Sequence, residues 1–167
     1  MATRMPILPQ QRIQLKNAIY DLQEVYQHAH DWLAWLKYDI WENEYQETIT
    51  PGGKVIKIFW NCEREIDDYS KFIIEVRFEM FGMTDIEVQQ AGERAKMQKG
   101  EINAFISAFL ETDRQNKWSE KPYLKFMKSF FEKYLYKGQI EVMQGQLWKE
   151  GWDFYNELKA FLNLYKY

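Results

Sequence analysis

Cysteine is nearly absent from this chain, and its absence excludes two classes of structure. Only Cys62 is present among 167 residues, so the sequence cannot form an internal disulfide or a thiolate metal cluster. Cys62 falls on the apolar side of an alternating segment, and we interpret it as a small buried hydrophobic residue. The two histidines, His28 and His30, diverge by about 200° on a helix, which argues against a shared metal ion.

The sequence also lacks a recognisable targeting segment, a strong net charge and known catalytic motifs, and these absences limit the functions it could have. The first residues lack the apolar core of a signal peptide, and no run reaches the ~20 apolar residues of a transmembrane helix, so we expect a cytoplasmic location. The net charge of -3 gives no electrostatic case for nucleic acid. No glycine-rich phosphate loop, G-x-S-x-G or H-E-x-x-H motif occurs. We therefore expect a non-enzymatic protein, with no catalytic residue, metal or cofactor, folded as a single domain over residues 1–167.

Alternating apolar residues are what the sequence has in abundance, most clearly from Lys71 to Thr112. Two runs of period 2 predict half-buried strands joined by a three-residue turn at Gln90, Ala91 and Gly92. Their apolar sets share one face only if even-numbered residues pair with even-numbered residues, with Phe78 opposite Ala104. The apolar positions are Phe72, Ile74, Val76, Phe78 and Met80 in the first run, and Ile102, Ala104, Ile106, Ala108 and Leu110 in the second.

This register has a consequence for the shape of the hairpin. It places Gly82 opposite Gly100, where neither residue has a Cβ, so we predict a kink at this level. Beyond the kink, a distal arm of roughly residues 83–99 either bends over the core or projects from it.

Two strands are predicted before the hairpin. Residues 38–50 have the mixed pattern of an edge strand and end in the turn Thr50-Pro51-Gly52-Gly53. In the next strand, Ile58 is expected opposite Phe78 and Lys57 opposite Glu79.

Helices are predicted at both ends of the chain. Apolar residues spaced by four and three indicate a long amphipathic helix from about Gln10 to Leu36. Ser119 as N-cap begins a lysine- and aromatic-rich helix that Gly138 ends or bends, and whose apolar face we assign to the core rather than to a membrane surface. A last helix runs to about Leu164, with Gly151 allowing close approach of another backbone. The predicted fold is α+β: a long N-terminal helix, a four-stranded antiparallel meander with a long kinked hairpin between its third and fourth strands, and two C-terminal helices, all on one face of the sheet.

The candidate binding residues lie on the other face of the sheet and on two helix flanks. The register aligns Phe59, Arg77 and Phe105 in one row across three strands, and a second row brings Ile73 beside Phe109. An arginine between aromatic rings suits a partner-binding surface, but the same row could simply stabilise a solvent-facing sheet. Glutamates on this face argue against RNA. Trp35 and Trp152 project from their helices toward a neighbouring element or a partner.

Two functions follow from these patterns. The first is an interaction or assembly protein, binding a protein partner or a second copy of itself through the sheet face or the hairpin arm. The alternative is a binder of an apolar small molecule, held in a cavity between the curved sheet and the helices. Aromatic residues make up 17% of the chain, and they could line either a protein interface or an apolar cavity.

Overall fold

A computed structural model describes residues 3–90, 92–113 and 122–164, with the side chain of Gln90 left out. The strands are β1 (Thr3–Tyr20), β2 (Asp39–Thr50), β3 (Gly53–Glu65), β4 (Ser70–Gln90) and β5 (Glu93–Thr112). The helices are α1 (Leu22–Trp35), α2 (Pro122–Phe130) and α3 (Lys137–Asn163), and a π-helical turn (Phe131–Leu135) connects the last two. The five strands are antiparallel in the order β1-β5-β4-β3-β2, which makes β1 and β2 the edges of the sheet.

The predicted N-terminal helix and four-stranded sheet are wrong, because residues 3–20 form a fifth strand. Irregularities in β1 disguise its period of 2. Asn17 has a φ of 53°, and the register with β5 shifts between Leu15 and Ala18. The buried residues Ile13, Leu15, Ala18 and Tyr20 are therefore spaced two, three and two, which resembles helical spacing.

α1 begins only at Leu22, since Asp21 acts as its N-cap. The Asp21 carboxylate accepts hydrogen bonds from the backbone N–H groups of Gln23 and Glu24 at 3.0 and 3.4 Å. Lys37 follows the helix with a φ of 71°, and backbone bonds from Lys37 to Ala34 and from Tyr38 to Leu33 close its end. Asp21, the residue between β1 and α1, lies in the middle of the predicted long helix, and Lys37 lies one residue beyond its predicted end.

The register predicted for the central strands is confirmed. Phe78 lies opposite Ala104 in β5 and opposite Ile58 in β3, and Lys57 lies opposite Glu79. The even-numbered apolar residues of β4 from Phe72 to Met80 all face the same side, where they are at most 2% exposed. We call this side the inner face of the sheet, and the opposite side the outer face.

The hairpin is irregular where the glycines meet. Phe81 pairs with Glu101 and Thr84 with Lys99, so Gly82 and Met83 together face Gly100 in a β-bulge. A Cβ on Gly100 would lie 2.8 Å from the Phe81 carbonyl oxygen, which leaves no room for a side chain. The bulge shifts the distal register by one residue. The predicted three-residue turn is therefore wrong, because Gln90 pairs with Glu93 and so belongs to the strand; the predicted turn residue Ala91 lies outside the described residues.

α1 and α3 cover the inner face. Tyr26 of α1 packs edge-on against Trp60 of β3 with ring centroids 4.9 Å apart. α3 crosses β1 and β5 at Gly151, where a Cβ would lie 3.0 Å from Leu8 Cδ2 and 3.6 Å from Ala108 Cβ. Gly151 therefore allows close packing, as predicted, but the atoms that approach it belong to side chains and not to another backbone. Burial of these apolar layers supplies the main driving force for folding.

The C-terminal helices differ in detail from the prediction. The break between them lies at Tyr136, while Gly138 falls within the first turn of α3. Tyr136 is drawn inward because its hydroxyl donates to Asp67 Oδ2 at 2.6 Å and lies 3.0 Å from Ser70 Oγ. Its burial, followed by the bond to Asp67, raises its pKa to about 12. The predicted Ser119 cap lies outside the described residues.

Candidate functional site

The outer face of the sheet carries one row of side chains that crosses all five strands. Direct pairing places Phe59 opposite Arg77 and Arg77 opposite Phe105, as the sequence predicts. The structure extends this row at both ends, because Glu44 of β2 pairs with Phe59 and Arg12 of β1 pairs with Phe105. We call the set the outer row; from one edge of the sheet to the other it consists of Glu44, Phe59, Arg77, Phe105 and Arg12.

Cations in the outer row lie against the neighbouring rings. The guanidinium carbon of Arg77 is 5.2 Å from the ring centroid of Phe59, and that of Arg12 is 5.9 Å from Phe105. Both arginines are exposed, and both rings are half-buried. Contacts of this geometry contribute about 0.5–1 kcal/mol at exposed positions. They hold the aromatic faces and the charges in fixed relative positions.

Phe109 lies in a second row on the same face. It pairs with Ile73, which is only 1% exposed although it points away from the helices. Arg4 of β1 covers Phe109 at 5.1 Å and bonds to Glu75 at 3.0 Å. Phe109 and the Arg4 side chain over it are thus among the neighbours of Ile73 on this face.

Two residues of the outer row were not identified from the sequence. Arg12 was hidden by the incorrect helix assignment. Glu44 was hidden by a bulge, since the pairing of β2 with β3 shifts between Glu42 and Glu44 and so reverses which residues face outward. The signal for Arg12 was the short alternation Arg12-Ile13-Gln14-Leu15, which is typical of a strand.

The other two predicted site residues lie away from the sheet face. Trp35 is at the end of α1, 69% exposed, with its ring 5.6 Å from that of Trp32. Trp152 on α3 is partly buried against the core and contacts Trp148 at 5.7 Å and Tyr155 at 5.2 Å. The structure therefore separates the six predicted residues into one sheet surface and two helix flanks.

A groove opens beside Trp35, between the end of α1 and the middle of α3. Its volume is about 420 Å³, and carboxylates of α3 form the wall opposite the tryptophans. One of them, Glu150, is held by Arg64, whose Nη2 lies 2.9 and 3.0 Å from the two carboxylate oxygens. Tyr38 donates to the same carboxylate at 2.8 Å.

The histidines hold no shared site. His28 stacks on Phe161 at 4.1 Å, and its Nε2 lies 3.1 Å from Glu157. His30 packs instead beside Tyr26. Across residues 3–90, 92–113 and 122–164, no three histidine, cysteine or acidic side chains gather in a way that could hold a metal ion.

The base of the distal arm packs on its own chain. Gln98 accepts a hydrogen bond from the backbone N–H of Leu22 at 2.8 Å and pairs with Tyr20 at the end of β1. Met83 and Met97 are buried, whereas Glu87 and Arg94 nearer the tip are exposed. The arm thus projects only through its outer part.

The apolar side of α2 is not in the core, and its predicted burial is wrong. The helix has no buried residue, and Phe126 is 74% exposed. Lys128 of this helix lies 3.8 Å from Asp113, and in the π-helical turn that follows, Glu132 accepts hydrogen bonds from Tyr69 at 2.6 Å and Thr112 at 3.0 Å.

Comparison with known proteins adds no assignment to these surfaces. No family model, curated protein or solved structure matches the chain. None of the helices in the described residues is long and apolar enough to cross a membrane.

Proposed function

We propose that this chain is an assembly protein whose sheet packs on the sheet of a second copy, outer face against outer face. The observation that carries the proposal is the order of charges and rings in the outer row. Glu44 lies at one end, Arg12 lies at the other, and Phe59 and Phe105 occupy equivalent places on either side of Arg77. Aromatic residues and arginine are the types enriched at interface hot spots.

This order is complementary to itself under one kind of two-fold symmetry. An axis lying between the two sheets and parallel to the strands reverses the row in the second copy. Glu44 of one copy then faces Arg12 of the other at both ends, and Phe59 faces Phe105. An axis perpendicular to the strands would instead place Glu44 on Glu44, so the parallel axis is favoured. Two-fold contacts of this isologous kind are the commonest in soluble oligomers.

Arg77 lies at the centre of the row and so approaches its own copy across the axis. Along β4 it is flanked by Glu75 and Glu79, which alternate with it on the outer face. Glu75 and Glu79 of the opposite copy lie two residues from its Arg77 along the strand, about 6.6 Å away, which an arginine side chain can span. Repulsion at the axis is offset by charges that belong to the same strand.

The available surface matches what a specific interface needs. Five strands spaced by about 4.8 Å, each contributing about ten residues at 3.3 Å, form a surface of about 800 Å² on each copy. This is about the area that each partner of a standard stable complex buries.

Charge reversal provides the test. The dimerisation constant is measured by sedimentation equilibrium for the parent chain, Glu44→Arg, Arg12→Glu and the double variant Glu44→Arg/Arg12→Glu. Each single change places like charges at both ends of the row and should weaken association at least ~10-fold, an effect of about 1.4 kcal/mol. The double variant exchanges the two charges and should recover most of the loss.

Glu87→Arg in the exposed part of the arm is the matched control, since it changes the net charge by the same amount as Glu44→Arg but lies outside the row. It should leave association unchanged. The proposal is wrong if the parent chain is a monomer at about 200 μM, roughly 200 times the Kd of a micromolar dimer. It is equally wrong if the double variant associates no better than the single ones. Circular dichroism verifies that every variant keeps its fold.

Binding of an apolar small molecule stays a prediction with less support. It needs space between the sheet and the helices, where Ile74 and Ile106 of the inner face and Leu147 of α3 are fully buried members of one apolar core. Native mass spectrometry of protein purified from its host would test it through a mass above that of the apo chain.

A further inference from the structure

The groove between α1 and α3 is a second surface with its own chemistry. Trp32, Trp35 and Leu36 form one wall at the end of α1, and Glu150, Asp153 and Glu157 of α3 form the other. Its volume of about 420 Å³ is within the range of small-molecule sites. None of these residues belongs to the outer row, so the groove and the proposed interface can be tested separately.

The aromatic wall presents two indole rings at an angle. The rings of Trp32 and Trp35 are 5.6 Å apart and inclined by 49°. Trp35 is 69% exposed, although the residue is large and largely apolar. The indole nitrogen of Trp32 is buried and has no hydrogen-bond partner within the described residues. Indole faces carry negative electrostatic potential and attract cations more strongly than other rings do.

The acidic wall follows from helical spacing. Glu150, Asp153 and Glu157 are separated by three and four positions, so they lie along one side of α3. Arg64 and Tyr38 already occupy the carboxylate of Glu150, and His28 contacts that of Glu157 at 3.1 Å.

Asp153 lies between these two glutamates. Asp153 is exposed, and no hydrogen bond or ion pair within the described residues engages its carboxylate. It is the carboxylate of this wall that is left to meet a ligand charge.

We infer that this groove binds an organic cation that carries apolar substituents, namely an ammonium group bearing methyl groups. Such a group contacts the indole faces through its methyls while its positive charge faces Asp153. A small metal cation would gain nothing from the tryptophans, and a neutral apolar molecule would leave the carboxylate uncompensated. The shared chemistry is found both in free quaternary amines and in the methylated lysine side chain of a peptide.

The inference is tested by NMR titration of the intact chain labelled with ¹⁵N. The seven tryptophans give separate indole signals, and the Trp35→Ala spectrum assigns the signal of Trp35. Choline is compared with 3,3-dimethyl-1-butanol, which has the same shape but no charge. Choline should shift the Trp35 signal and bind at least ~10-fold more tightly than the neutral compound. A peptide with trimethyllysine, compared with its unmodified form, distinguishes the two sources.

Matched variants localise the effect. Asp153→Asn should weaken choline binding at least ~5-fold, and Trp35→Ala should abolish it. Glu141→Gln, at a carboxylate paired with Lys137 near the start of α3, and Trp41→Ala, at a tryptophan that is 60% exposed on β2, should leave it unchanged. Both groove residues are exposed, so their variants are expected to fold. The inference is overturned if choline binds no better than the neutral compound, if neither shifts Trp35, or if the control variants weaken binding equally.

Discussion

Replacing Gly151 by alanine tests whether α3 lies as close to the sheet as the structure places it. The added Cβ would be 3.0 Å from Leu8 Cδ2 and 3.6 Å from Ala108 Cβ. The first distance is shorter than a normal carbon contact of about 3.5–4.0 Å, so Leu8 or the helix has to move. Leu8 is fully buried, which leaves it little freedom to do so.

Two effects of opposite sign decide the outcome. Alanine is favoured over glycine inside a helix by about 1 kcal/mol. Overpacking a filled core costs about 1–3 kcal/mol, so Gly151→Ala should lower the free energy of unfolding by roughly 0–2 kcal/mol. Gly145 lies in the same helix and is exposed, and a Cβ added there would meet no atom within 4 Å. Gly145→Ala should therefore raise the same free energy by about 1 kcal/mol.

The assay is urea unfolding followed by tryptophan fluorescence, and the difference between the two variants is the informative quantity. We expect Gly145→Ala to be more stable than Gly151→Ala by about 1–3 kcal/mol. Leu8→Ala removes the side chain that the new Cβ would meet. In that background Gly151→Ala should therefore raise the free energy of unfolding. Equal stabilisation by both glycine replacements in the parent chain would refute the close packing of α3 on β1 and β5.

Three further predictions concern buried polar groups. The Tyr20 hydroxyl is buried without a hydrogen-bond partner in the described residues, and burial raises its pKa. Tyr20→Phe should thus raise the free energy of unfolding by about 1 kcal/mol in chemical denaturation. The stability difference from the parent chain should grow above about pH 10, because Tyr20 ionises at a lower pH in the unfolded chain than in the folded chain. Glu150→Gln should cost roughly 3 kcal/mol, since it leaves Arg64 without its carboxylate; a loss below about 0.5 kcal/mol would contradict this. Burial raises the pKa of Cys62 to about 12, so its labelling by a disulfide reagent at about pH 8 should be roughly 1,000-fold slower in the folded chain than in urea.

Regular alternation made the central strands predictable from the sequence. The strands β3, β4 and β5 each pair with a strand on both sides. A shift of their pairing by one residue would therefore turn the whole apolar set toward solvent. This constraint is why the pairing of Arg77 with Phe59 and Phe105 could be derived without coordinates. It holds until the bulge at Gly82, beyond which the register of the arm shifts by one residue.

The beginning of the chain could not be derived in the same way. Pro6 and Pro9 cannot donate backbone hydrogen bonds, which argues locally against a strand, whereas an edge strand such as β1 tolerates both. Asn17 then inserts a residue with positive φ and breaks the alternation. The true start of α1 had a visible signal, since Asp21 followed by Glu24 has the spacing of a capping box. Tertiary pairing with β5, which no local pattern reveals, decides in favour of the strand.

The same physics explains why the sequence located the centre of the outer row and not its ends. Edge strands have one hydrogen-bonded neighbour, so bulges and prolines cost them less and also protect them from unwanted pairing. Both edges of this sheet carry such bulges, one beside Glu44 in β2 and others on either side of Arg12 in β1. Irregular edges thus place the two charges that make the row complementary to itself. The facing of an edge strand therefore decides which charges lie on the outer face, and alternation within that strand alone does not reveal it.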